Sequence, residues 1–109
     1  MRQVKPEGPR IYRDKLYRDD GEPIAVGSAS WQAWLAEAAT QEFVFRAEDG
    51  TWHRARREWR RGSAYWYVAC RVRGRVRRFY LGPAVALDCS RLATVATAIK
   101  AAREVVSEG

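Results

Sequence analysis

Histidine occurs once, at His53, cysteine twice, at Cys70 and Cys89, and lysine only at Lys5, Lys15 and Lys100. A single histidine rules out a two-histidine metal site within one chain. No Ser-His-Asp ordering, phosphate-cradling loop or glycine-rich dinucleotide turn is present, so the usual hydrolase and nucleotide-binding signatures are missing. Two cysteines without metal-ligand spacing give neither a disulfide scaffold nor a zinc knuckle. Cys70 reads as a small buried hydrophobe in a strand. Cys89 falls near a helix start, where the dipole favours a thiolate, but no partner base lies beside it in sequence. No apolar run approaches the roughly 20 residues that a bilayer-spanning helix needs. The opening MRQVKPEGPR has basic residues with no apolar segment behind them, so it does not read as a secretory signal, and the cytoplasm is the expected location. No cofactor is implied.

What is present is arginine and aromatic surface. The chain has 109 residues, 47% of them hydrophobic, with five tryptophans, which suffices for one domain with a buried core. Of 20 basic residues, 17 are arginine, and the net charge is +7. The arginine and alanine bias fits a GC-rich genome, so the placement of the charge says more than its amount. Between Thr51 and Gly82 stand ten arginines and one acidic residue, Glu58, a net +9 that leaves −2 for the other 77 residues. So uneven a distribution points to a surface for an anionic partner, against the alternative of a merely solvated strand face.

Along the chain, residues 1–10 contain Pro6, Gly8 and Pro9 and read as a flexible arm, with residues 11–109 as a single domain. IYRDKLYRDDGEPIAVG suggests a short hairpin turning at Asp20-Gly21. SASWQAWLAEAAT then takes a helical period, capped by Ser28 or Ser30, with Trp31, Trp34, Leu35 and Ala38 on one stripe. That stripe either packs on the core or forms a groove for a partner helix. QEFVFRAEDGTWHRARREWRRG reads as a second hairpin with its turn at Asp49-Gly50. Trp52 and Trp59 have opposite parity, so a bulge or an early strand end is expected there. Residues 64–81 form a third hairpin with Gly74 in its turn. A final helix, capped by Asp88 or Ser90, carries the stripe Leu92, Val95, Ala96, Ile99, Ala102 and Val106. The expected fold is α+β: three or four antiparallel strands, packed by the C-terminal helix and the tryptophan-rich helix on one face.

Parity sorts the third hairpin. With Arg73-Gly74 as the turn, Val72 faces Arg75, Cys70 faces Arg77, Val68 faces Phe79 and Trp66 faces Leu81. One face then gathers Trp66, Val68, Cys70, Phe79 and Leu81, with Arg75 and Arg77 near the turn. The other gathers Tyr65, Tyr67, Ala69, Arg71, Arg73, Val76, Arg78 and Tyr80. A one-residue slip would mix the two sets. Arginine makes bidentate contacts to phosphate or to the guanine edge, and tyrosine offers a stacking ring with a hydroxyl. Such a face suits nucleic acid, DNA rather than RNA, with Arg71, Arg73, Arg75, Arg77 and Arg78 as the main contacts, joined by Tyr65, Tyr67, Tyr80, Arg54, Arg56 and Arg57. The competing expectation is that residues 1–40 cover the tyrosines.

The pattern GxAYWYVAxRxRGRxRRxYLGP followed by a helix resembles a small segment that precedes the ATPase region in LuxR/MalT-like transcription regulators of Chloroflexi-type bacteria. The matching residues are Phe43-Val44-Phe45, Gly50, Arg56-Arg57-Glu58, Tyr65-Trp66-Tyr67, Arg71, Arg77-Arg78, Tyr80-Leu81-Gly82 and Leu92, and SASWQAWLAEAATQEFVFR fits the opening of the same segment. The likeness spans about residues 22–100 and implies a stand-alone version, because no ATPase or helix-turn-helix portion accompanies it. Three strands ending in YLG before a helix are also similar in architecture to AP2-type domains and to the arm-binding domains of phage integrases, which implies DNA contact through the exposed sheet face. The expected function is a non-enzymatic nucleic-acid-binding module. The alternative is a protein-interaction or regulatory module meeting an acidic partner or a second copy of itself. A remote third reading is a metal-free ribonuclease with His53 or Glu58 as base and Arg54, Arg56 or Arg57 on the phosphate.

Overall fold

Residues 8–19 and 21–104 are described by the structure, a computed structural model. Among these described residues seven strands and two α-helices follow in chain order: β1 (Arg10–Tyr12), β2 (Lys15–Tyr17), β3 (Ile24–Ala25), α1 (Ala29–Ala36), β4 (Glu42–Arg46), β5 (Trp52–Arg60), β6 (Ser63–Val72), β7 (Arg75–Gly82) and α2 (Cys89–Glu104). The fold is α+β as the sequence implies, but one sheet in the order β3-β2-β1-β4-β5-β6-β7 replaces the three or four strands expected. The hairpin expected in residues 11–27 is present as β2 and β3, but the three residues of β1 carry too little periodicity to announce a further strand. What adds all three to the sheet is the parallel pairing of Arg10 with Val44 and Ile11 with Phe45, a contact between segments far apart in sequence. β1 begins at the last residue of the expected arm, and residues 1–7 of that arm lie outside the described residues.

The turns are where local chemistry decides. β1 and β2 are joined at Arg13-Asp14, with Arg13 at φ 62°. β2 and β3 pair antiparallel, Lys15 with Ala25 and Leu16 with Ile24, on either side of the expected Asp20-Gly21 turn, of which Asp20 lies outside the described residues. Ala47 to Thr51 closes the β4–β5 hairpin, with Gly50 at φ 90° and the Asp49 carboxylate accepting from the Thr51 amide at 2.9 Å. β5–β6 and β6–β7 turn on Arg61-Gly62 and Arg73-Gly74. In both pairs each residue has a positive φ, as a type I′ turn requires.

β5 runs in continuous register from Trp52 to Arg60 without the bulge that its parity suggested. Its alternation is real and unbroken: His53 and Ala55 are buried, Arg57 is half-buried and Trp59 is exposed, all on one face. The irregularity sits between Trp66 and Tyr67, so Trp66 pairs with Gly82 rather than with Leu81. The remaining pairs of the third hairpin follow the expected register from Tyr67–Tyr80 to Val72–Arg75.

Ser28, not Ser30, caps α1: its hydroxyl accepts from the Trp31 amide at 3.2 Å. The helix ends at Ala36, one turn earlier than expected, so Ala38 is exposed and leaves the stripe. Asp88, not Ser90, receives the Arg91 amide at the start of α2 at 2.8 Å. Leu92, Val95, Ala96 and Ile99 are buried as their spacing predicts, and Val106 lies outside the described residues.

Both helices pack on the same face of the sheet. Trp31, Trp34 and Leu35 from α1 and the buried stripe of α2 share one core with Ile11, Leu16, Phe43, Phe45, Ala55, Trp66, Val68 and Leu81. Aromatic rings form its centre, with Phe43 5.5 Å from Trp31 and 5.1 Å from Trp66. The Trp31 indole donates to the Leu87 carbonyl at 2.8 Å, which ties α1 to the segment leading into α2. The tryptophan stripe is therefore core and not a groove. Among the described residues no helix is long and apolar enough to cross a membrane.

Candidate nucleic-acid interface

With both helices on one side, the other side of the sheet has no helix over it among the described residues. Strand alternation dictates what it presents. Ile11, Leu16, Phe43, Phe45, Ala55, Trp66 and Val68 point inward, so their neighbours point outward. Outward positions are Arg10 and Tyr12 on β1, Lys15 and Tyr17 on β2, and Glu42, Val44 and Arg46 on β4. They continue with Trp52, Arg54, Arg56, Glu58 and Arg60 on β5, Tyr65, Tyr67 and Arg71 on β6, and Val76, Arg78 and Tyr80 on β7. Basic residues outnumber the two acidic ones, Glu42 and Glu58, and the aromatic rings are interleaved among them.

The expected contacts separate into three groups. Tyr65, Tyr67, Arg71, Arg78 and Tyr80 share the outer face with Arg54 and Arg56. Arg73 sits at the β6–β7 turn. Arg57, Arg75 and Arg77 point to the helix side. Among the described residues, none of the first 40 lies over the tyrosines: β1, β2 and β3 extend the sheet sideways, and α1 lies on its other face. Tyr80 is 52% exposed, while Tyr65 and Tyr67 are half-buried by lateral neighbours. The Tyr65 and Tyr80 rings lie 5.9 Å apart, and the Arg78 guanidinium stands 4.3 Å above the Tyr67 ring.

Ion pairs grade the arginines. Arg78 and Arg60 both bond Glu58, which holds that carboxyl below its ordinary range. Arg54 and Arg56 share Glu42, at 3.1 and 3.6 Å. Among the described residues Arg71, Arg73, Arg75 and Arg77 have no acidic partner within salt-bridge distance. Arg71 reaches the Gly74 carbonyl at 3.3 Å, and Arg77 stacks 5.1 Å over the Phe79 ring. Arg57 is occupied otherwise. Its guanidinium donates to the Leu35, Glu37 and Ala38 carbonyls at 2.9, 3.1 and 3.1 Å, closing the C-terminus of α1.

Sequence reading missed the far half of this face: Arg10, Tyr12, Lys15, Tyr17, Arg46 and Trp52. Their signal is the alternation of a polar or aromatic residue around the single apolar Ile11 and Leu16. Tyr12 lies between two guanidiniums, Arg13 at 5.4 Å and Arg46 at 5.3 Å, which lower its hydroxyl from the ordinary phenol range. The same two arginines and Lys100 rim a cleft of about 700 Å³ between α2 and the β4–β5 turn, with Ile11, Phe45, Leu92 and Ala96 on its walls.

His53 is buried on the helix side, 5.4 Å from Phe45, and loss of hydration together with Arg103 pushes its pKa down. It lies on the opposite face of β5 from Glu58, Arg54 and Arg56. Cys89 is raised above the ordinary thiol value by partial burial and by Asp14 and Asp88, so it stays protonated at neutral pH. Cys70 is half-buried and packs against the core.

No family model, curated protein or solved structure matches the chain.

Proposed function

We propose that the protein is a non-enzymatic nucleic-acid-binding module that meets DNA through the helix-free face of its sheet. The observation that supports this most is the composition of that face: tyrosine rings and arginine guanidiniums are interleaved across β5, β6 and β7, and among the described residues neither helix covers them. Guanidiniums neutralise phosphates and release counterions, while the rings supply sequence-tolerant contact area. His53 is buried away from the outer arginines, and Glu58, the other candidate base, is engaged by Arg60 and Arg78, which hold its carboxyl below the ordinary range; both observations favour binding over catalysis.

A titration of the full chain against duplex and single-stranded DNA and RNA at about 50 mM salt tests this. Binding is expected, weakening steeply as salt is added. No binding to any of these at that salt contradicts the proposal.

One observation favours the interaction-module reading. Trp59 is 60% exposed and Val85 82%, both off the outer face, where nucleic-acid contact would not use them. Under that reading Trp59→Ala abolishes partner capture and leaves DNA affinity unchanged.

A further inference from the structure

The outer face is not uniformly part of a wide sheet. β6 pairs with β5 only from Val68–Ala55 to Ser63–Arg60, although β5 itself continues to Trp52. Past that point β5 pairs with β4 alone, through Arg54, His53 and Trp52. Residues 69–78 therefore pair only with each other, as Ala69–Arg78, Cys70–Arg77, Arg71–Val76 and Val72–Arg75 around the Arg73-Gly74 turn. They form a two-stranded ribbon that leaves the sheet, containing five arginines and no acidic residue. The ribbon is stiffened from behind. Val72 is 5% exposed on the α2 side, and the Arg103 guanidinium on α2 donates to the Arg71 carbonyl at 3.2 Å.

We infer that this ribbon lies in the major groove of B-form duplex DNA, an inference that rests on the nucleic-acid reading above. Width decides. Seven strands spaced about 4.8 Å apart make a sheet of about 29 Å, far too broad for a groove of about 12 Å, whereas two strands fit. Orientation follows from the buried side: with Val72 against α2, the opposite side offers Arg71 and Val76 to the groove floor. Arg71 matches the paired acceptors of guanine. Val76, 64% exposed and apolar amid charge, matches the thymine methyl. Arg73, Arg75 and Arg77 at the tip and rear edge meet the phosphates of the groove walls. A-form RNA, with its deep and narrow major groove, excludes such a ribbon.

Fluorescence anisotropy of the full chain at about 50 mM salt provides the test, with a labelled DNA duplex of about 20 base pairs, the RNA duplex of the same sequence, and one DNA strand. The DNA duplex is expected to bind roughly tenfold tighter than either of the others. The protein should displace the major-groove dye methyl green and should still bind duplex saturated with distamycin in the minor groove. Val76→Asp, at an exposed position, should keep the far-ultraviolet circular dichroism of the parent and weaken duplex binding by roughly tenfold. RNA or single strand bound as tightly as duplex DNA, or competition by distamycin without displacement of methyl green, overturns the groove inference and leaves the nucleic-acid reading standing. Failure to bind all three overturns both.

Discussion

Arg57 and Arg71 are both arginines in basic strands, yet they do different work, and the difference lies in side-chain partners. Arg57 closes the end of α1 through three backbone carbonyls, and Arg71 stands in solvent beside Gly74. Arg57→Ala is therefore expected to cost about 2 kcal/mol of stability, measured by urea denaturation, because hydrogen bonds to a charged group are lost around a half-buried site. Arg71→Ala is expected to leave the urea midpoint unchanged and to weaken DNA binding. Glu58 shows the reverse relation. Its carboxylate holds Arg78 and Arg60, so Glu58→Gln releases two guanidiniums and is expected to tighten DNA binding roughly threefold at low salt. Weaker binding of that variant would instead make Glu58 the group that positions Arg78.

His53 also acts at this scale. Its pKa is depressed in the folded chain, so just below the ordinary value of 6.5 the unfolded chain binds more protons than the folded one. Stability is therefore level above pH 6.5 and falls as the pH drops through the folded value. Asp49 and Glu58, both lowered, give up their contributions only below their ordinary values of 3.8 and 4.5. Urea denaturation at pH 7.5 and pH 5 is expected to show a loss that His53→Phe removes.

At the scale of elements, legibility followed local chemistry. The β6–β7 hairpin was readable because Gly74 demands a turn and β-formers flank it, and its register follows once the turn is placed. α2 was readable because four buried residues recur at helical spacing. The one error of register, Trp66 opposite Gly82, comes from a bulge at Leu81 beside Gly82, whose φ of 115° is the one mark of it in the strand. The N-terminal strands were legible as a hairpin but not as part of the sheet, for a different reason. Each is two or three residues long, and their place in the sheet depends on the pairing of β1 with β4. Half of the outer face therefore could not be assembled from sequence, although each of its residues could be read.

The turns hold a second lesson. Arg13, Arg61 and Arg73 occupy left-handed backbone, which costs a non-glycine residue about 1 kcal/mol and which asparagine tolerates better. An arginine kept in strained backbone at the tip of the ribbon points to use of its charge. Arg73→Asn is expected to raise the melting temperature slightly and to reduce the salt dependence of DNA binding by about one phosphate contact, a slope change near 0.9. Lower stability with unchanged binding would show that Arg73 serves the fold alone.

For the whole molecule, the division of labour is between two sides of one sheet. The helix side holds the aromatic core and fixes strand geometry. The other side holds charge and rings in rows that the core has no need of. Trp66→Ala, at the centre of the core and fully buried, is expected to cost about 3–5 kcal/mol and to abolish binding only by unfolding the chain. Outer-face variants are expected to do the opposite, losing binding in a folded protein.

The most direct measurement is duplex-DNA affinity as a function of salt for the parent chain and for the Arg71→Glu/Arg73→Glu variant. Neither side chain has an acidic partner among the described residues, so both substitutions should leave the fold intact. The parent is expected to give a straight line of log K against log salt, and the variant a lower affinity with a shallower slope. A folded variant that binds with the affinity and slope of the parent would contradict the assignment of this face to nucleic acid.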